Sequence, residues 1–525
     1  MQPMILTAAT IILAASAFFA LTPQLQMLQQ NSYYNTRYLS YLRTAFGWRS
    51  VLAGIGAALL VLFLWIPVWN GMVFLILAAL FSAIRAWDTL RRQKNAIKPL
   101  VVTARVTRMY ATAGVFLAVL GIIAALLPAS RALMMAMCVL WLFTPLLALL
   151  ANLVNRPLER AVAKHYIHDA QRILASHTGL RVIGVTGSYG KTSTKYILGR
   201  MLSERFDVLI TPGSYNTPMG VVRTVREQLK GTTEVFVCEM GAKQVGDIKE
   251  ICDICHPDMG VITSIGPQHL NTFHSMENIV STKFELADAV LERGGRVFCN
   301  VENEFIRDRA KNLPCTGYGL SPKAGVWAGN VSFGRGGASF EIHAGERCIP
   351  VHTKLLGSHA VLNITAAAAV AVELGLTDTE IKVAVSQLAP VPHRLELKGF
   401  VNHSLLIDDA YNSNPEGCLA AVEVLNSFEG MKKIIVTPGL VELGEREYEC
   451  NFALGAAAAK VCDEMILVGE QRSVPLADGA RSANYPSEKL VVVKSFQEAL
   501  QRLKTYAERD TVVLIENDLP DNYAR

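Results

Sequence analysis

This 525-residue sequence lacks a cysteine framework and any basic stripe, and has a single acidic residue between its N-terminal apolar runs. Its ten cysteines are scattered. The one C-x-x-C, Cys252 to Cys255 followed by His256, has no second pair to complete four zinc ligands. It could mark haem attachment or half a zinc site, but two cysteines on a helix ending before Pro257 is the preferred reading. Disulfides are not expected in the reducing compartment inferred below. No internal repeat or low-complexity linker interrupts the chain. The net charge is only +5. No run of Lys and Arg with interleaved aromatics follows residue 155, which argues against a nucleic-acid partner.

Apolar residues make up 51% of the chain, unevenly spread. Long runs occupy Met4–Leu21, Val51–Trp69, Met72–Ile84, Ala111–Leu127 and Ala132–Leu150. Most approach the roughly 20 residues of a bilayer crossing. Arg37, Arg43 and Arg49 follow the first run. Arg85, Arg91, Arg92, Lys94, Lys98, Arg105 and Arg108 separate the third from the fourth, opposed only by Asp88. That alternation is the positive-inside pattern. It predicts an α-helical transmembrane bundle over residues 1–155, with about five helices. The N-terminus would lie outside a cytoplasmic membrane and all later residues in the cytoplasm. The basic loops imply the lipid bilayer as a partner. A buried helical bundle is the alternative.

The densest signal is V-I-G-V-T-G-S-Y-G-K-T-S-T-K, Val182–Lys195. An apolar strand-like run leads into Gly187, Ser188, Tyr189, Gly190, Lys191, Thr192 and Ser193, and a helix-compatible segment follows. Such a turn wraps backbone N–H groups around a phosphate chain at a helix N-terminus. Lys191 would reach the outer phosphates and the Thr192 hydroxyl would sit on Mg²⁺. Val185 holds the place of the first glycine in the full pattern, so a chance turn is the alternative.

From Arg181 onward, short apolar runs alternate with helical stretches. Phe206–Ile210, Val235–Cys238, Gly260–Thr263, Val297–Asn300, Ile434–Thr437, Met465–Val468 and Thr511–Ile515 read as buried strands. Met276–Leu291 and Ala360–Leu374 read as helices. The fold class is α/β with mostly parallel sheets, a P-loop ATPase domain followed by a Rossmann-like C-terminal domain. The pattern restarts near Pro390–Leu397, giving segments 1–155, 156–394 and 395–525.

Candidate ligands cluster where such sheets place them, at the C-terminal ends of strands. Glu239 could hold Mg²⁺ opposite the phosphate loop, or be an ordinary surface acid. His269 follows a strand and a glycine turn; a solvated loop histidine is the alternative. Lys283, on a helix, reads by itself as solvated. Asp408-Asp409 lead into Tyr411-Asn412-Ser413-Asn414-Pro415, which suits ribose or metal contacts. His359 and Asn363 open a helix and could bond a base or cap that helix.

In order, T-G-S-Y-G-K-T-S (Thr186–Ser193), N-T-P-M-G (Asn216–Gly220), E-M-G-A (Glu239–Ala242), I-T-S-I-G-P-Q-H-L (Ile262–Leu270) and S-T-K-F-E (Ser281–Glu285) precede L-G-S-H-A-V-L-N (Leu356–Asn363), H-R-L-E (His393–Glu396), I-D-D-A-Y-N-S-N-P (Ile407–Pro415) and V-E-L-G (Val441–Gly444). This series resembles the Mur ligase family, ATP-dependent amide-bond synthetases of cell-wall peptidoglycan assembly, and looks most like its D-alanyl-D-alanine-adding branch. The resemblance implies a central ATP-binding domain over 156–394 and a family C-terminal domain over 395–525. It implies ATP with two Mg²⁺ ions. Lys191 and Thr192 would serve the phosphates and first metal, Glu239 and His269 the second. Lys283 would be carbamylated and become a metal ligand. Asn216, His359 and Asn363 would lie at the nucleotide. Arg394 would contact phosphate, and Asp409, Tyr411, Asn412 and Asn414 would form the C-terminal nucleotide loop. Lys191, Lys283, His269 and Arg394 would then carry the catalysis, in which a carboxylate becomes an acyl phosphate and an amine displaces phosphate.

Two departures stand out. Apolar runs take the place of the family's UDP-gripping domain. Gly439-Leu440-Val441 lacks the acid of the family's G-D-M, and Glu516–Asn522 replaces its K-G-S-R-like loop. The preferred expectation is a membrane-borne peptide- or glycan-bearing carboxylate, joined to an amino acid or peptide amine. A tethered ligase of a UDP-linked muropeptide is one alternative, and a membrane ATP sensor without ligase activity is another.

Overall fold

The computed structural model describes residues 2–31, 33–44, 71–94, 99–126, 144–268, 270–334, 337–390, 393–410, 415–441 and 443–517. The chain divides into two compact units, Met1–His165 and Tyr166–Arg525.

In the first unit, helices Gln2–Gln30, Asn35–Thr44, Gly71–Lys94 and Ala104–Leu126 precede the start of a long helix, Thr144–Ser176. Apolar faces of all of these but Gly71–Lys94 meet in one cluster that includes Leu21, Leu25, Leu28, Tyr38, Met109, Leu117 and Ala151, and Phe81 of Gly71–Lys94 packs on Ala17 and Ala20. Polar side chains tie the helices together. Thr22 Oγ1 and Tyr110 OH are 2.8 Å apart, and Gln93 Nε2 donates to Gln26 Oε1 at 2.6 Å. Asn155 Nδ2 donates to Thr112 Oγ1 at 2.8 Å, and Arg108 Nε to Glu159 Oε1 at 2.7 Å.

Among the described residues, no helix is long and apolar enough to cross a membrane. That overturns the expected transmembrane bundle. The multi-pass membrane location and the bilayer partner rested on it and are withdrawn. An apolar run records burial without saying against what. Met72–Ile84 ends at Arg85 within its own helix, and the apolar start of Thr144–Ser176 gives way to Arg156, Glu159 and Arg160. Parts of the described runs pack on one another, while Met72, Ile76, Leu80, Ile84 and Val115 among them stay exposed. Val51–Trp69 and the first part of Ala132–Leu150 lie outside the described residues.

The second unit is α/β. Its first sheet comprises β1 (Arg181–Thr186), β2 (Val208–Ile210), β3 (Val235–Met240), β4 (Met259–Ile262), β5 (Arg296–Asn300), β6 (Cys315–Gly319), β7 (Val326–Gly334), β8 (Gly337–Ala344) and β9 (Arg347–Thr353). The order is β2-β3-β1-β4-β5-β6-β7-β8-β9. Pairing is parallel from β2 to β7 and antiparallel across β7, β8 and β9.

Both faces of the parallel part are covered, which explains its nearly unbroken apolar strands. On one face lies helix Lys191–Leu202, whose Ile197, Leu198, Met201 and Leu202 pack with Ile183 and Val185. That i, i+1, i+4, i+5 spacing is one helical stripe. Each such side chain contributes about 1.5–3 kcal/mol on burial. On the other face, helix Asp247–Cys255 buries Ile248, Ile251, Cys252 and Cys255, and helix Met276–Glu292 buries Phe284, Ala287 and Val290. Cys252 Sγ lies 3.8 Å from Met240 Sδ, so the C-x-x-C cysteines belong to the core.

The second sheet runs β10 (Glu396–Gly399), β11 (Leu405–Asp409), β15 (Thr511–Glu516), β12 (Lys432–Thr437), β13 (Glu464–Val468) and β14 (Leu490–Val493) in that spatial order. Only the β10–β11 pair is antiparallel.

Candidate nucleotide and metal site

The site begins where β1 ends. Gly187 has φ 154°, and a Cβ there would stand 2.1 Å from Thr263 Oγ1, so only glycine lets the loop lie against the end of β4. Gly190, at φ 79°, opens helix Lys191–Leu202 in the left-handed conformation that glycine adopts without strain. The loop is pinned from β4. Ser188 N donates to Ser264 O at 2.6 Å, Ser188 Oγ to Gly266 O at 3.1 Å, and Thr263 Oγ1 to Tyr189 O at 2.6 Å.

Lys191 Nζ folds back onto this loop, donating to Gly187 O at 2.8 Å and Ser188 O at 2.9 Å. Loss of hydration pulls its pKa down to about 8, against the pull of Glu239 and with the push of Arg394.

Glu239, near the end of β3, is 1% exposed. Its Oε1 accepts from Thr192 Oγ1 at 3.0 Å and Asn216 Nδ2 at 3.1 Å. Its Oε2 accepts from Lys195 Nζ at 2.9 Å, and Lys195 also donates to Gly213 O at 2.5 Å. An anionic carboxylate and a hydroxyl in contact beside a phosphate-type loop are the donor set a hard oxygen-seeking cation uses.

Lys283 is 2% exposed on helix Met276–Glu292. Burial, then the nearby Lys191 charge, lowers its pKa to about 7, while Asp247 and Glu285 resist. Glu285 is itself engaged by the backbone N–H groups of Gly246 and Lys249, both at 2.8 Å. Lys283 is therefore not the solvated helical lysine that its sequence context suggests.

Asn363 Oδ1 accepts from Thr194 Oγ1 at 3.1 Å and faces Gly190, so it lies at the start of the phosphate-loop helix. His359 is exposed, and its charge partner is Glu416. Arg394 lies near both Lys191 and Asp409, its charge disfavouring protonated Lys191 and favouring the Asp409 carboxylate. Asp409 takes the backbone N–H of Leu395 at 3.1 Å and hydrogen-bonds Glu516, its register partner across β11–β15. Burial pushes its carboxyl up. Asp408 is tied elsewhere, to His393 Nδ1 and Lys398 Nζ, each at 2.9 Å. His269, Tyr411, Asn412 and Asn414 lie outside the described residues.

The structure thus gathers Lys191, Thr192, Asn216, Glu239, Lys283, Asn363 and Arg394. Lys195 and Thr263 were missed from sequence. Lys195 had a usable signal: it lies four residues after Lys191 on the same helix, hence on the same face.

The Mur ligase middle domain matches residues 185–371, and the Mur ligase glutamate ligase domain matches residues 393–516. A Mycobacterium bovis protein named UDP-N-acetylmuramoyl-tripeptide--D-alanyl-D-alanine ligase is 32% identical over 324 residues, 60% of this chain and 63% of the relative. The chain thus spans less than two thirds of that relative's length. The Bacillus subtilis protein of the same name is 29% identical over 339 residues, covering 64% of this chain and 73% of its own. MurF from Acinetobacter baumannii superposes with a TM-score of 0.60 at 28% identity, covering 68% of this chain and 77% of its own. The MurF ligase from Thermotoga maritima, solved in complex with ADP, gives 0.60 at 27%, covering 68% and 80%. With two Mur ligase domains matched over more than half of its length, on a phosphate loop whose lysine, threonine and facing glutamate are in place, this chain belongs to the Mur ligase family.

Proposed function

We propose that the chain is an ATP-dependent amide-forming ligase of peptidoglycan precursor synthesis. Its carboxylate substrate is a UDP-N-acetylmuramoyl peptide and its amine is D-alanyl-D-alanine, as the names of its relatives suggest. The observation that carries this reading is the contact of Thr192 and Glu239 at the mouth of the phosphate loop, with Lys191 on the loop and Lys283 buried nearby.

ATP is the phosphoryl donor. The backbone N–H groups opening helix Lys191–Leu202 would hold its phosphates, and Lys191 would exchange two carbonyls for phosphate oxygens. Thr192 and Glu239 fit one Mg²⁺, and His269 with a carbamylated Lys283 would complete a second site. The metals would supply charge neutralisation at the phosphoryl oxygens. Lys283 suits carbamylation because an amine with pKa about 7 is substantially neutral at neutral pH, and CO₂ adds to the neutral form. Asn363 would steady the loop helix through Thr194, and Arg394 would bring positive charge from the second sheet.

In the reaction a carboxylate oxygen attacks the γ-phosphorus and ADP leaves, giving an acyl phosphate. The amine nitrogen then attacks the acyl carbon, inorganic phosphate leaves and an amide remains. Alignment and preorganised charge supply most of the acceleration in such transfers. Excluding water protects the intermediate.

The test is phosphate release with product mass recorded, offering a UDP-linked tripeptide with D-Ala-D-Ala or single amino acids. Phosphate release matched by the pentapeptide product supports the proposal. A product with another amine corrects the substrate. ATP binding with no amide product under any pairing would leave a sensor and refute the ligase reading.

A further inference from the structure

The antiparallel end of the first sheet carries a second cluster of ligand-type side chains, away from the phosphate loop. β4, β5, β6 and β7 lie between β1 and β8. Glu341 and His343 are two residues apart on β8 and therefore share a face. Cys348 on β9 is the direct cross-strand partner of His343. One ligand atom from each of Glu341, His343 and Cys348 lies within 4.8 Å of the other two. His343 Nε2 is 3.5 Å from Glu341 Oε2, and the Cys348 thiol hydrogen-bonds the same carboxylate group. Glu341 and His343 are half-buried and Cys348 is exposed.

We propose that Glu341, His343 and Cys348 form a binding site for a borderline-soft divalent transition metal, with Zn²⁺ the best match. Thiolate, imidazole and carboxylate together are a zinc donor set and a poor one for Mg²⁺ or Ca²⁺, which take oxygen. Three protein ligands leave a fourth tetrahedral position for solvent. Zinc bond lengths place tetrahedral ligand atoms about 3.3–3.8 Å apart. The cluster is therefore near that geometry, and rotation of the exposed Cys348 side chain closes most of the remainder.

The surroundings hold two of the ligands in place. The His343 ring stacks on Trp327, its cross-strand partner on β7, with centroids 3.9 Å apart and planes at 10°. Asn330 Nδ2 donates to Glu341 Oε2 at 2.8 Å. Asn330 sits in the β7 bulge at φ 51°. Outer contacts of this kind orient ligands and set their basicity. A bound ion would staple β8 to β9, independently of the proposed ligase chemistry.

The experiment is a Co²⁺ titration of the reduced, metal-stripped full-length protein, followed by Zn²⁺ displacement. Co²⁺ bound by thiolate gives a near-ultraviolet charge-transfer band that oxygen-only sites do not, so the nucleotide site is silent. We expect the band to saturate at one equivalent and disappear on Zn²⁺ addition. Cys348→Ser should abolish it, His343→Gln should weaken Co²⁺ binding at least 10-fold, and Cys450→Ser should leave it unchanged. Phosphate release should survive Cys348→Ser. Absence of the band, or its persistence in Cys348→Ser, would overturn the proposal.

Discussion

Lys195 and Glu239 form an ion pair at 2.9 Å with side chains 0% and 1% exposed, and removing one partner should be expensive. At an effective dielectric constant near 20 their attraction is about 6 kcal/mol. Lys195→Met removes the cation, keeps the bulk of the stem and strands a buried carboxylate. Thr192 and Asn216 still donate to Glu239, which offsets part of the loss. We therefore expect destabilisation of about 3–5 kcal/mol, the range for breaking a buried pair from one side. Urea unfolding followed by far-UV circular dichroism at pH 8 would measure it. Adding Glu239→Gln to Lys195→Met removes the stranded charge, so the double variant should recover at least about 2 kcal/mol. A loss below about 1 kcal/mol, or no recovery in the double variant, would refute a dry, charged pair.

Two further outcomes follow from the same site. Lys283 has its pKa lowered to about 7, so between that value and its unfolded value near 10.4 the unfolded chain binds more protons and stability rises with pH. Lys283→Met should remove a slope of up to about 1.4 kcal/mol per pH unit from melting curves between pH 7 and 10 in CO₂-free buffer, and parallel curves would contradict the burial argument. Gly187→Ala places a methyl against Thr263 Oγ1 at φ 154°, so it should cost about 1–3 kcal/mol of stability and weaken ATP binding at least 10-fold by calorimetry; near-normal ATP affinity would show that the loop need not lie against β4.

Much of the parallel architecture was legible because its signals are local. Runs such as Val235–Cys238 and Met465–Val468 are apolar throughout, as strands covered on both faces must be, and they became β3 and β13. The segments of β7, β8 and β9 were not read as strands. They carry Gly, Asn, Ser and His, and β8 and β9 alternate buried with exposed positions over only a few residues. The helical runs near the N-terminus were legible as apolar, but not as packed. Polar ties such as Gln93 to Gln26 join positions 67 residues apart, and nothing in either run announces the other.

The sequence by itself determined the phosphate loop, because glycines at Gly187 and Gly190 and a lysine at their end act within a few residues of one another. It also determined the strand–helix alternation and the order of the family motifs. Tertiary structure alone decided which charges meet. Lys195 and Lys283 are both helical lysines, yet one is paired with a glutamate 44 residues away and the other is buried beside Lys191. It alone brought Glu341 and His343 opposite Cys348 across a strand pair. Burial and long-range pairing set those environments, and both depend on where the chain returns in space.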